Sequence, residues 1–184
     1  SEGQDFSFIP ESMPADINRY KQWKPKEQLL HKLSYNINKE NYIINNHIES
    51  FYEKITNKGM PNLPYLENAF DEYYYTYRTN TSSNIKIKNK NNDLKILLAY
   101  NTYHRIKETL YTDLTTLSTT LVQNQTAQDT SSFGLVMIKT ILSNYHNKEI
   151  KYQIGVDLEY QTAKGNRILN KYQEENKCAI FSTI

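Results

Sequence analysis

Leu30, Leu33, Ile37, Ile44, Ile48, Phe51 and Ile55 recur at steps of three, four or seven, the spacing of one face of a helix. The pattern predicts a long helix over residues 26–58, opened after Pro25 and stopped by Gly59 and Pro61. The step from Ile37 to Ile44 skips a turn, so a break near Asn41 would turn one rod into two helices. A shorter helix is expected over 63–79, with Leu63, Leu66, Phe70, Tyr73 and Tyr77 on one side. Asp93 reads as an N-cap. Behind it Ile96, Ala99, Tyr103, Ile106, Leu110, Leu114, Leu117 and Leu121 step by three or four and predict a second long helix over 93–123, about 45 Å in length at 1.5 Å per residue. A fourth helix is expected over 133–145, carried by Leu135, Ile138, Ile141 and Leu142.

The period changes after Asn147. Ile150, Tyr152, Ile154, Val156, Leu158 and Tyr160 alternate with polar residues and Gly155, which favours a strand over 150–160, and residues 178–184 are a natural terminal strand to pair with it. A helix through Ile150, Ile154, Leu158 and Ile168 is the rival, weakened by Gly155 and Gly165. Residues 166–175 look helical, and 80–92 read as a loop holding a short strand at 85–88. The predicted fold is therefore mainly α: an antiparallel helical bundle of two long and two shorter helices with a small C-terminal β element, the alternative being all-α. Residues 1–24, with Pro10 and Pro14 and no sustained period, read as an extended arm, and 25–184 as a single helix-rich domain.

Composition narrows the function classes more than it selects one. The 184 residues carry a net charge of only +2, too little for an extended phosphate-binding surface. Four of the 22 basic residues are arginine, so planar, bidentate recognition of phosphates has few candidates. The lone cysteine, Cys178, excludes an intramolecular disulfide and reads as a buried, inert thiol. No apolar run approaches the length of a membrane-spanning helix. A wealth of Asn, Lys, Ile and Tyr resembles the codon bias of an AT-rich genome. A start at Ser1 fits removal of a leading tag or of a signal peptide; exported and cytoplasmic locations are both compatible, and export is the favoured reading.

The chemistry-bearing residues form no recognisable constellation. His31, His47, His104 and His146 share no metal-ligand spacing with one another or with Cys178. Glu49 with Glu53, and Glu67 with Asp71, lack the Glu-x-x-His step of a di-iron bundle. There is no nucleophile elbow, phosphate-binding glycine loop or dinucleotide fingerprint. Nothing calls for a cofactor or a metal. Two features stand out. In the Tyr73-Tyr74-Tyr75-Thr76-Tyr77 run, Tyr73 and Tyr77 fall on the expected core face, leaving Tyr74 and Tyr75 as a candidate partner surface. Lys86, Lys88 and Lys90 would form a row of ammonium groups if their segment were extended, either a contact for nucleic acid or a guard against edge-to-edge pairing. The expected function is a non-catalytic protein–protein interaction module of the adaptor, surface, secretion-system or immunity-inhibitor kind, with a protein partner. A nucleic-acid-associated protein and an enzyme with a dispersed site are the alternatives.

Overall fold

The computed structural model describes residues 19–89, 92–124, 127–144 and 151–184. They form β1 (Lys26–Asn38), β2 (Tyr42–Lys58), β3 (Asn68–Lys88), β4 (Asp93–Asp113), β5 (Thr119–Leu121), β6 (Asp129–Asn144), β7 (Tyr152–Gly165) and β8 (Tyr172–Thr183). The sheet order is β1-β2-β3-β4-β6-β7-β8, with β5 paired to β4. A 3-10 turn lies at Leu169–Lys171.

The helical bundle is thereby overturned, and the all-α alternative with it. Residues 26–58 are not one helix but a hairpin: the suspected break at Glu40 and Asn41 is its turn, closed by Lys39 N–H donating to the Tyr42 carbonyl at 2.9 Å. The helix expected over 93–123 is β4 and β5, and Asp93 opens a strand instead of capping a helix. The helices expected over 63–79 and 133–145 are β3 and β6, and the one expected over 166–175 is the 3-10 turn followed by β8. Of the loop expected over 80–92, residues 80–88 are the end of β3, which contains the short strand expected at 85–88. The 150–160 segment does pair antiparallel with the C-terminal segment, in a register from Gln153 opposite Thr183 to Lys164 opposite Tyr172. Most of the proposed arm, residues 1–18, lies outside the described residues.

The physical reason is coverage. A strand buried on one face alternates strictly between apolar and polar, and only the segment entering β7 did so cleanly. Elsewhere apolar and polar side chains share both faces, and a mixed run 20 residues long contains three- and four-residue steps by coincidence. The better signal was residue type: Ile, Thr and Tyr fit a pleated surface and lose rotamer freedom in a helix.

Cα packing divides the chain into two compact units, residues 1–29, 52–77 and 104–131 in the first and 30–51, 78–103 and 132–184 in the second. In the first unit Ala69 and Leu114 are the buried apolar residues, accompanied by buried Asp71, Thr76, Thr109 and Thr112. Polar groups therefore organise its interior. Asp71 Oδ2 accepts from Arg19 Nη2 at 2.6 Å and from Thr112 Oγ1 at 2.9 Å, while Oδ1 accepts from Gly59 N–H at 3.1 Å. The Gln128 amide substitutes for a strand: Oε1 accepts from Thr109 N–H at 3.1 Å, and Nε2 donates to the carbonyls of Thr109 at 2.8 Å and Val122 at 2.9 Å. Ring pairs Tyr52–Tyr77 and Phe70–Tyr111, with centroids 5.2 and 5.7 Å apart, supply the apolar contact.

The turn after β4 is closed by Asp113, whose Oδ1 accepts from Thr115 Oγ1, Thr115 N–H and Thr116 N–H at 2.6, 2.8 and 3.0 Å. The bond from the Thr115 hydroxyl, joined by the two backbone N–H groups, lowers its pKa to about 2. Because the folded value is depressed, the stabilisation is present in full above the ordinary carboxylate range and is lost as pH falls toward 2. A carboxyl-detected NMR titration is expected to place the Asp113 midpoint near 2, and Thr115→Ala is expected to move it upward.

In the second unit the sheet carries most of its side chains in solvent. Ser143 is buried there, donating to the Asp93 carbonyl at 3.4 Å. Gly155 lies opposite Phe181 in the β7–β8 register, and the ring of Phe181 lies over it, its tip 2.1 Å from where a Cβ would be.

Candidate functional site

Adjacent residues of a strand point to opposite faces, and directly paired residues share a face. Two contacts define the β6–β7 pairing in the second unit. Lys139 Nζ lies 3.0 Å from Asp157 Oδ2, and a Cβ on Gly134 would lie 2.8 Å from Thr162 Oγ1. Both correspond to one antiparallel register, which puts Val136 opposite Tyr160 and Ile138 opposite Leu158. The β7–β8 register then continues the rows: Leu158 is opposite Cys178, and Val156 is opposite Ile180.

One face of β6–β8 thus carries Val136, Ile138, Ile154, Val156, Leu158, Tyr160, Cys178 and Ile180. The face is apolar and open to solvent. Val136, Ile138, Ile154, Leu158 and Tyr160 are 38–46% exposed and Ile180 is 75% exposed. Cys178, expected to be buried, is exposed. The opposite face is mixed, with Phe133, Leu135, Met137, Ile141 and Phe181 beside charged residues. Lys139 and Asp157 pair there, Lys177 reaches Glu159 at 3.4 Å, and the Gln161 amide bonds Glu159. An apolar sheet face is ordinarily packed against a second layer. Here that face lies bare over three adjacent strands.

A groove of about 810 Å³ crosses β3, β4, β6, β7 and β8. The Tyr103–Phe133 ring pair, 5.9 Å between centroids, stands within it. Arg78 lies at its β3 end and Glu174 and Glu175 at its β8 end. Arg78 is already engaged: Nη2 donates to Glu49 Oε1 at 3.3 Å and the guanidinium lies 5.2 Å from the Phe51 ring centre. The Lys32 ammonium, 3.0 Å from the other oxygen of Glu49, holds that carboxyl below its usual range, with Arg78 adding to the effect. Tyr172 is pushed up to about 12 by its contact with the Tyr160 hydroxyl and by Glu174, to which both hydroxyls donate at 3.0 and 3.2 Å. Arg78 is thus paired with Glu49, while Glu174, which by register shares the face of Tyr160, is held by the two tyrosine hydroxyls.

No protein-family model matches the chain, and no curated protein is similar to it. The reading of function therefore rests on these surfaces.

Tyr74 and Tyr75 lie in β3 of the first unit, on opposite faces of the strand, and both are half-buried. The Tyr74 ring lies 5.2 Å from the Arg105 guanidinium and 5.9 Å from the Lys107 ammonium, and its hydroxyl donates to Glu72 at 3.0 Å. Burial, then the Glu72 hydrogen bond, raises its pKa; burial also raises that of Tyr75. Burial alone would raise Glu72 as well, but Lys107, Asn57 and Tyr74 donate to it and leave it lowered. Tyr77, expected on a core face, is 45% exposed. In the second unit Lys86 faces Asp93 at 3.8 Å, Lys88 is exposed at the end of β3, and Lys90 lies outside the described residues.

Among the described histidines, His47 Nδ1 meets Ser34 Oγ at 2.9 Å, His104 faces the Tyr77 ring at 6.4 Å and His31 is exposed on β1. None of the three lines the groove. His146 lies outside the described residues. Among the described residues no cluster of three or more His, Cys, Asp or Glu side chains is arranged to hold a metal, and no helix is long and apolar enough to cross a membrane.

The apolar face was half legible. The alternation over 150–160 marked its β7 row, but β6 was read at helical spacing, which grouped Ile138 with Leu135 and Ile141 of the other face and left out Val136. Nothing in a linear pattern distinguishes an apolar face that is covered from one that is bare.

Proposed function

We propose that this chain is a non-catalytic protein-binding module, and that the apolar face of β6–β8 is where it binds. The observation that carries the reading is the row Ile138–Leu158–Cys178 across all three strands, flanked by exposed Val136, Tyr160 and Ile180. Contiguous bare apolar surface is costly in water and marks sites that another surface covers. The small net charge of +2 argues for a protein surface over a phosphate-rich one, because nucleic acids and anionic lipids draw clustered cations.

The test is a paired affinity capture from the source lysate with the wild-type chain and an Ile138→Lys, Leu158→Lys variant. Both positions are solvent-facing, so the variant is expected to keep its strand content by circular dichroism. A protein retained in stoichiometric amount by the wild type is expected to fall at least about tenfold on the variant, the effect of placing two uncompensated ammonium groups in an apolar contact. Equal capture by both would remove the apolar face from the reading.

A further inference from the structure

The apolar face is one open surface of the second unit; the outer edge of β8 is another, with a different chemistry. β8 terminates the sheet order. All twelve of its residues are exposed, and all twelve pair with β7 without a bulge. It contains no proline. Edge strands are ordinarily shortened, bulged, interrupted by proline or lined with lysine, because their outward N–H and C=O groups recruit another strand. The charged residues of β8 are Glu174, Glu175 and Lys177, of both signs, so they repel a second strand only in some registers.

We infer that the β8 edge pairs antiparallel with β8 of a second copy of this chain, about a two-fold axis at Asn176. An antiparallel pair related by a two-fold axis has the axis normal to the sheet, so directly opposed residues share a face and the axis must pass through a residue position. Placing it at Glu174, Glu175 or Lys177 sets identical charges against each other, and placing it at Cys178 or Ala179 gives Lys177 no charged residue opposite. Placing it at Asn176 sets Lys177 against the partner's Glu175 and Glu175 against the partner's Lys177. The same register brings Ile180 against the partner's Tyr172. That contact covers the most exposed apolar side chain of the β6–β8 face, Ile180.

In the monomer Lys177 already lies 3.1 Å from Glu175 and 3.4 Å from Glu159, so two carboxylates share one ammonium. The second copy supplies each Glu175 with another. Main-chain hydrogen bonds from Tyr172 to Ile180 provide the affinity, and the Lys177–Glu175 pairs select the register.

The experiment combines analytical ultracentrifugation of the full chain over a concentration series with zero-length thiol oxidation. The wild type is expected to sediment as a dimer that dissociates on dilution. Asn176→Cys in a Cys178→Ser background is expected to oxidise to a covalent dimer, since directly opposed residues have Cα atoms about 4.5–5.5 Å apart. Native Cys178, displaced from the partner's Cys178 by four residue steps or about 14 Å along the strands, is expected to remain a thiol. Lys177→Glu is expected to raise the dimer dissociation constant roughly five- to thirtyfold by removing two cross-strand ion pairs, and adding Glu175→Lys is expected to restore most of the loss.

A chain monomeric at every concentration would overturn the inference while leaving the partner-binding reading intact. A dimer that cross-links through Cys178 but not through position 176, or one indifferent to Lys177→Glu, would overturn it as well. Loss of lysate capture by the Ile138→Lys, Leu158→Lys variant bears only on the apolar face, so the two readings fail separately.

Discussion

Asp71→Ala is expected to cost about 3–5 kcal/mol of folding stability, the range for removing one partner of a buried ion pair. Asp71 is 3% exposed, and the Arg19 side chain that meets it at 2.6 Å is 8% exposed. Without the carboxylate the guanidinium stays buried with no counter-charge, and the Thr112 hydroxyl and Gly59 N–H lose their acceptors. Three donors from three parts of the first unit converge on this one side chain, so no neighbour can replace it. Asp71→Asn retains an acceptor oxygen and is expected to lose less. Urea denaturation should show the loss as a lowered midpoint at unchanged slope, and a double-mutant cycle with Arg19→Met separates the ion pair from the other two bonds. A loss below about 1 kcal/mol, within the range of exposed ion pairs, would mean that the Arg19–Asp71 contact is solvated.

Gly59→Ala is expected to be the second severe change, at about 1–3 kcal/mol, the usual cost of forcing extra volume into a closed site. A Cβ there would lie 2.1 Å from the Phe70 carbonyl oxygen and 3.2 Å from its carbon. Both atoms are main chain in β3, so the strand itself must move, and the movement also pulls Gly59 N–H from Asp71. Gly155→Ala makes an instructive contrast. Its Cβ would also lie 2.1 Å from a neighbour, but that neighbour is the outer end of the Phe181 ring, on an edge strand with solvent to turn into. The ring can swing away, and the expected loss stays within about 1 kcal/mol. Thermal denaturation of the two variants side by side is the check; equal destabilisation would mean that Phe181 is held as firmly as the backbone around Phe70.

These two sites also show what a linear pattern conceals. Asp71 was read only as one of two nearby carboxylates on a helix, Glu67 and Asp71. In the structure its partners are Arg19, Gly59 and Thr112, brought together by pairing between distant segments. Gly59 was read as the stop of a helix, and it does end β2; what makes it intolerant of a side chain is the β3 backbone, which no local signal announces. Gln128, which the sequence reading did not single out, donates and accepts like a strand residue because its amide has the same groups as a peptide.

Charge, cysteine count and the absence of nucleotide, nucleophile and metal motifs were settled by the sequence alone, because they depend on which residues are present. So were two interruptions: the break near Asn41, which is the β1–β2 turn, and the stop at Gly59, just after β2. The antiparallel partnership of β7 with β8 was legible too, since strict alternation favoured a strand and Gly155 and Gly165 weakened the rival helix. The identity of the other elements was not, because apolar residues spread over both faces of an uncovered sheet satisfy a helical period as readily as a strand's. Only the tertiary structure decided that the alternating side of β7 joins Val136, Ile138 and Ile180 in a face that solvent reaches. Exposure is a property of what lies opposite a side chain, and in this chain that is set by strand pairing and by the edge at β8.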